Sequence, residues 1–284
     1  MIARARSFAR GVRAAAWLGY QIEANWTRPI VFLVFALAKP LATSLILLVM
    51  YRVVIGGTTS DPRFVGIYVG NALFVFVPLL LVGLSWCVFE DREQFQMLKY
   101  VYTTPIGLLA YLFGRATTKL VMSVLSCAVL FAFGALVLHL RFPVTPASGA
   151  LFAFCLVVGI GGVIAVGLVM AGAALVFPRQ AMTLNESTAA VLYLLCGAVF
   201  PPDILPHVMR EIAFALPMTY WIEACRRLLV GPGFSAALAQ IGTTQLVALQ
   251  VAITCVWLAG GLALYRTMER SAQRAGKLDQ TTDW

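Results

Sequence analysis

Residues Val199 to Trp221 read VFPPDILPHVMREIAFALPMTYW, with four prolines and the Arg210-Glu211 pair set inside an otherwise strongly apolar chain. Proline removes a backbone donor and crowds the preceding turn, so this stretch cannot be one continuous helix. From Ile204 onward, Ile204, Leu205, Val208, Met209, Ile212, Ala213 and Leu216 share one helical face, while His207, Arg210 and Glu211 share another. Asp203 is placed to cap the start, and Pro206 is tolerable in the first turn. Pro217 then breaks the helix, and MTYWIEACRRLL forms a second piece. Residues 201–231 are too short and too often broken for two membrane crossings. They are predicted to dip into the membrane as a re-entrant helical hairpin, with its irregular corners shielded by neighbouring helices. A plug so placed gates an exit.

The reading requires lipid around the chain, and composition supplies it. Of 284 residues, 61% are hydrophobic and 12% charged. The apolar residues gather in runs of the length a helix needs to cross a bilayer. Six runs stand out, at about 30–55, 64–89, 119–140, 148–177, 183–200 and 243–265. Six spans put both termini on one side. Assigning that side to the cytoplasm places fourteen basic residues there, among them Arg4, Arg6, Arg10, Arg13, Arg28, Arg115, Lys119 and Lys277, against six outside, including Arg52, Arg63, Arg226 and Arg227. The formal charge of +9 is therefore explained by membrane orientation and anionic headgroups, and nucleic acid is not an expected partner. The six cysteines stand alone, without CxxC or metal spacing, and read as small hydrophobes.

The domain reading is a single transmembrane unit over 1–284. It comprises an interfacial helix at 1–28, spans one and two at 30–89, a cytoplasmic loop at 90–118, spans three to five at 119–200, the hairpin and its connection at 201–242, span six at 243–265, and a cytoplasmic tail at 266–284. The first helix places Phe8, Val12, Ala15, Gly19, Ile22 and Trp26 on one face and Arg6, Arg10 and Arg13 on another, the pattern of a helix lying in the membrane interface. A cleaved signal peptide is the rival reading, but Gln21, Glu23 and Asn25 follow a short apolar centre without a small-residue cleavage pattern.

Catalytic signatures are missing. His139 and His207 are far apart, no HExxH occurs, and no lysine follows the glycine of a GxxxxGK[ST] phosphate loop. No catalytic residue, metal site or bound cofactor is expected, and any nucleotide energy must come from a partner. Lys39, followed by Pro40 inside the first span, either lines a cavity that receives an anionic group or snorkels to the interface. Asn71 and Pro78 in the second span, and Asn185 with Glu186 at the start of the fifth, either line a path or bond between helices. The fourth span, GIGGVIAVGLVMAGAAL, is rich in glycine and alanine and so permits close helix approach. In the cytoplasmic loop, Glu90, Asp91, Arg92 and Glu93 lead into Phe95, Leu98, Val101 and Tyr102 at helical spacing before Thr103, Thr104 and Pro105 stop the helix. Such an amphipathic helix either docks a partner or simply joins two spans.

Together these features resemble the permease subunits of type-2 ATP-binding-cassette (ABC) exporters. The resemblance rests on EDRE at 90–93 with TTP at 103–105, on CGAVFPP and ILP after the fifth span, on LPMTYWIEA with Arg226, and on Arg28-Pro29 and Pro40 at the first span. The chain departs at Gln96-Met97-Leu98-Lys99, where the family often has Gly-Thr-Leu-Glu. The resemblance implies an all-α membrane protein of the cell (inner) membrane, working as two permeases with two cytosolic ATPase subunits that carry ATP and Mg. It implies a coupling helix built from Glu90, Asp91, Arg92, Glu93, Phe95, Leu98 and Tyr102, and it makes Lys39, Asn71, Phe200, Pro201, Pro202, Pro206, Pro217 and Tyr220 candidates for the pathway or its gate. The substrate expected is a hydrophobic or amphipathic small molecule or lipid, with a lipid-linked glycan, or an ion-coupled secondary transporter, as the alternatives.

Overall fold

The computed structural model describes residues 2–24, 29–59, 61–104, 107–142, 145–232 and 234–276. Trp26, Arg28, Pro105 and Lys277, on which parts of the sequence reading rest, lie outside them. Among the described residues the chain is all helical, without a strand. The helices are α1 (Ile2–Ala24), α2 (Pro29–Met50), α3 (Pro62–Phe74), α4 (Val82–Glu93), α5 (Leu98–Thr103), α6 (Leu108–Leu136), α7 (Pro146–Val176), α8 (Ala181–Leu195), α9 (His207–Ala215), α10 (Pro217–Val230), α11 (Ala236–Ala239) and α12 (Thr243–Arg274).

Among the described residues, five segments are long and apolar enough to cross a membrane: Leu37–Ile55, Pro62–Glu93, Leu108–Leu136, Pro146–Val176 and Thr243–Arg274. The first ends in a π-helical turn at Tyr51–Ile55. The second joins α3 to α4 through another, Val77–Leu81, which contains Pro78 and absorbs its missing donor without ending the span. The remaining expected span, at 183–200, is the 15-residue α8 followed by a tight turn with Gly197 at φ 72°. At 1.5 Å per residue α8 is about 22 Å long, short of the ~30 Å hydrocarbon thickness.

Two boundaries differ from the sequence reading for one reason. The expected loop at 90–118 shrinks, because α4 continues to Glu93 and α6 begins at Leu108. Charges that mark a loop in the sequence are neutralised by partners distant in the chain. Arg115 donates to Glu90 (2.6 Å) and to Asp91 (3.2 Å), and Lys119 pairs with Glu23. Among the described residues, α4 and α6 therefore carry charge within helices at one end of the bundle.

The core sits around α3 and α4, where Phe64, Tyr68, Leu73, Phe76, Leu80 and Leu84 are fully buried. α7 packs against α12, and close approach is built into the sequence: a Cβ at Gly261 would lie 2.6 Å from the Ala165 carbonyl oxygen. α1 runs along the first turns of α6, burying Gly11, Ala15 and Gly19 and half-burying Val12 and Ile22. Its buried face shares Ala15, Gly19, Val12 and Ile22 with the one expected. Phe8 is exposed, as are Arg10, Arg13, Trp17 and Tyr20.

Candidate functional site

The two ends of the bundle differ in chemistry. At the α5 end, Arg92 donates to the carbonyls of Ala174 (3.1 Å) and Leu175 (3.4 Å), satisfying acceptors that the last turn of α7 leaves open. Asp91 and Arg92 are buried at 0% and 3% exposure, so these members of the expected coupling set face the protein's own interior. Glu90 is held by Arg115. Leu98 and Val101 of α5 are also buried, while Tyr102 is half-buried with its hydroxyl 3.5 Å from Glu269 near the end of α12. Burial pushes the Tyr102 phenol above its ordinary pKa, and the Glu269 carboxylate adds to the shift. The hydroxyl stays protonated as a donor.

What this end offers outward is a different set. Gln94, Phe95, Gln96, Lys99 and Tyr100 are exposed, with Phe95 at 44% and Tyr100 at 62%. Gln96 turns the chain between α4 and α5 at φ 48°, a left-handed conformation uncommon for a side chain other than glycine. Lys99 lies over the Tyr100 ring, 5.4 Å from its centroid. The surface is aromatic and polar, with its charged neighbours Asp91 and Arg92 turned inward. Thr103 and Thr104 end α5 by donating to the carbonyls of Tyr100 and Val101.

At the opposite end, α9 and α10 meet at a corner, Leu216-Pro217. Thr219 donates to the Ala213 carbonyl (2.5 Å) and Tyr220 to that of Phe214 (2.8 Å), so the residues after Pro217 lock the corner. Trp257 of α12 donates to the Ala215 carbonyl on the other side (2.8 Å). The corner is deep in the bundle: Pro217 meets Gly162, and Trp221 packs so closely on Gly159 that a Cβ there would fall 2.1 Å from the indole. Trp221 also makes an edge contact with Phe76, with ring centroids 5.7 Å apart.

From that corner α10 climbs back to the end of the bundle. Arg226, 2% exposed, donates to Gly66 of α3 (2.8 Å), to Gly197 (2.7 Å) and Ala198 (3.3 Å) in the turn after α8, and to Glu223 (2.9 Å). Its guanidinium stacks on Phe234, 3.7 Å from the ring centroid. Arg227 donates to the carbonyls of Leu238 and Ile241, both at 2.6 Å. Asp203 caps α11, accepting from the backbone of Ala236 and Ala237. It therefore does not cap the helix that follows it, because Leu205 and Pro206 are extended and displace that helix to His207.

The pathway candidates divide. Tyr220 and Pro217 are buried in the corner, Pro202 is buried, and Pro201 is half-buried. Phe200 is 44% exposed, and Pro206 is exposed too. Asn71, 4% exposed, donates to Ser44 of α2 (3.3 Å) and accepts from Tyr193 of α8 (3.2 Å), joining three helices inside the bundle. Lys39 is exposed on α2, and its carbonyl accepts from Thr43. Asn185 is 1% exposed, and neither of its polar side-chain atoms has a hydrogen bond among the described residues. Glu223, Trp221 and Arg115 carry no site role in the sequence reading, although the i, i+3 spacing of Glu223 and Arg226 signals a local pair. Among the described residues no group of three His, Cys, Asp or Glu side chains is arranged to hold a metal.

A family model described as ABC-2 type transporter matches residues 15–230, from α1 to the last residue of α10. No curated protein matches the chain.

Proposed function

Because the chain belongs to the ABC-2 type transporter family, we propose that it is the permease subunit of an ATP-driven exporter that moves an amphipathic or hydrophobic small molecule or lipid. The observation that carries the reading is the polarity of the bundle: an exposed aromatic loop helix at one end and a helical hairpin anchored by buried arginines at the other.

In this reading the α5 end is cytoplasmic and docks a separate ATPase, two copies of which bind ATP and Mg and serve two permeases in the cell membrane. α8 is the sixth crossing, shortened because the turn at 196–200 and the hairpin fill the remaining depth. The hairpin is re-entrant from the far side, α1 lies in the cytoplasmic interface with Trp17 and Tyr20 toward lipid, and both ends of the chain are cytoplasmic. Closure of the ATPases is transmitted through α5 to the spans it touches, α4 and α6, and the hairpin corner at Pro217 and Tyr220 closes the exit until they move. Glu90, Asp91 and Arg92 serve coupling from inside, by tying α5's neighbours to α6 and α7.

The test is reconstitution. Proteoliposomes holding the chain with an ABC ATPase from the same genome should export a fluorescent amphipathic dye on addition of ATP and Mg, and the chain alone should neither hydrolyse ATP nor export. ATP turnover by the purified chain alone would overturn the proposal.

A further inference from the structure

A cavity of about 520 Å³ opens at the hairpin end, between the last turn of α2, the first turn of α3 and the chain on either side of α10. Its lining is mostly apolar, including Leu47, Met50, Ile55, Ile67, Phe200 and Val230. That volume and lining fit a drug-sized apolar ligand or one hydrocarbon chain. Met50, Ile55 and Phe200 in the lining are 46%, 61% and 44% exposed, so the cavity is open and bordered by apolar side chains.

Two arginines border the cavity, and their chemistry differs. Arg226 has four hydrogen bonds engaged and an ion pair with Glu223, so it forms a fixed wall. Arg63 is exposed and has no ion pair among the described residues. The nearby Asp61 carboxylate already accepts from the Tyr51 hydroxyl (3.1 Å), and Tyr51 packs on Phe64 with ring centroids 5.1 Å apart. The rim is therefore held in shape, and it presents an apolar slot with one uncommitted cation.

We propose that this cavity binds a single-chain anionic amphipath, its hydrocarbon chain in the slot and its anionic headgroup on Arg63. The ligand enters from the leaflet at the hairpin end. The site rests on the transport reading only for the ligand's fate; binding itself is independent of it.

Native mass spectrometry of the full chain in detergent, titrated with lysophosphatidylglycerol or lysophosphatidylcholine, tests the site. One lysophosphatidylglycerol per chain should be retained, about tenfold more tightly than the zwitterionic lipid. Arg63→Glu should remove that preference and Arg63→Lys should keep it. Met50→Trp, which fills the slot, should release both lipids; if that variant fails to fold, Phe200→Trp takes its place. Equal retention of the two lipids by the unaltered chain, or retention unchanged by the slot-filling variant, overturns the proposal. Loss of binding with ATP-driven dye export intact would remove the site and leave the transport reading. Binding without export of any dye would do the reverse.

Discussion

Arg226 is a charge kept dry by its neighbours. A buried guanidinium is tolerable when its donors and its charge are both met, and here three backbone carbonyls, Glu223 and the Phe234 ring meet them. Removing one partner of such a pair is costly because the other stays buried. Arg226→Ala should therefore destabilise the chain by about 3–5 kcal/mol, since it strands Glu223. Arg226→Ala combined with Glu223→Ala should recover part of the loss in a detergent-melting measurement; a double variant as unstable as the sum of the singles would show that the pair is not coupled. Arg115 is the counterpart at the other end, held by Glu90 and Asp91. The role of Arg115 was not visible in the sequence, where it is a basic residue near an apolar run, and for Arg226 only the local spacing to Glu223 could be read, not its contacts with Gly66, Gly197 and Ala198. The partners of Arg115 lie 24 and 25 positions back, and those of Asp203 lie 33 and 34 ahead. Pairing over such separations leaves no local pattern.

At the scale of elements, the segment around α5 separates buried from exposed residues. Leu98 and Val101 hold α5 to the bundle, while Tyr100 on α5 and Phe95 in the turn before it face away. Phe95→Ala with Tyr100→Ala should leave membrane insertion and melting unchanged while weakening capture of the ATPase by about tenfold or more, because exposed aromatics are typical interface anchors. Leu98→Ala should instead lower stability by about 2–5 kcal/mol. Equal effects of both changes on melting would deny α5 a docking face. The apolar runs, the break at Pro217 and the close-packing face of α7 were all legible, because each is written in local periodicity or in a residue's own geometry. The length of α8 was not. Its apolar run reaches Phe200, but Gly197 in the left-handed region ends the helix early, and the carbonyls of Gly197 and Ala198 turn to Arg226, a residue in another helix.

For the whole molecule, contacts fix which element ends share a side. Arg92 reaches the end of α7, Tyr102 approaches the end of α12, and α1 lies along the start of α6, so all of these gather at the α5 end. The corner between α9 and α10 sits deep inside, and Arg226 and Arg227 close the opposite end. A Gly159→Leu change, which drives a side chain into Trp221, should displace the hairpin and either abolish export or leave it leaky to the dye without ATP; normal ATP-dependent export would show that the corner has no part in closing the pathway. The central claim is that the loop helix and the hairpin face opposite sides of the membrane. Five of the six native cysteines are buried and only Cys255 is exposed, which makes a Cys255→Ser background suitable for labelling. In that background, Tyr100→Cys and His207→Cys, both at exposed positions, should be treated with a membrane-impermeant thiol reagent in intact cells and again in inverted vesicles. The account predicts that His207→Cys reacts only in intact cells and Tyr100→Cys only in inverted vesicles; reaction of both from the same side would contradict it.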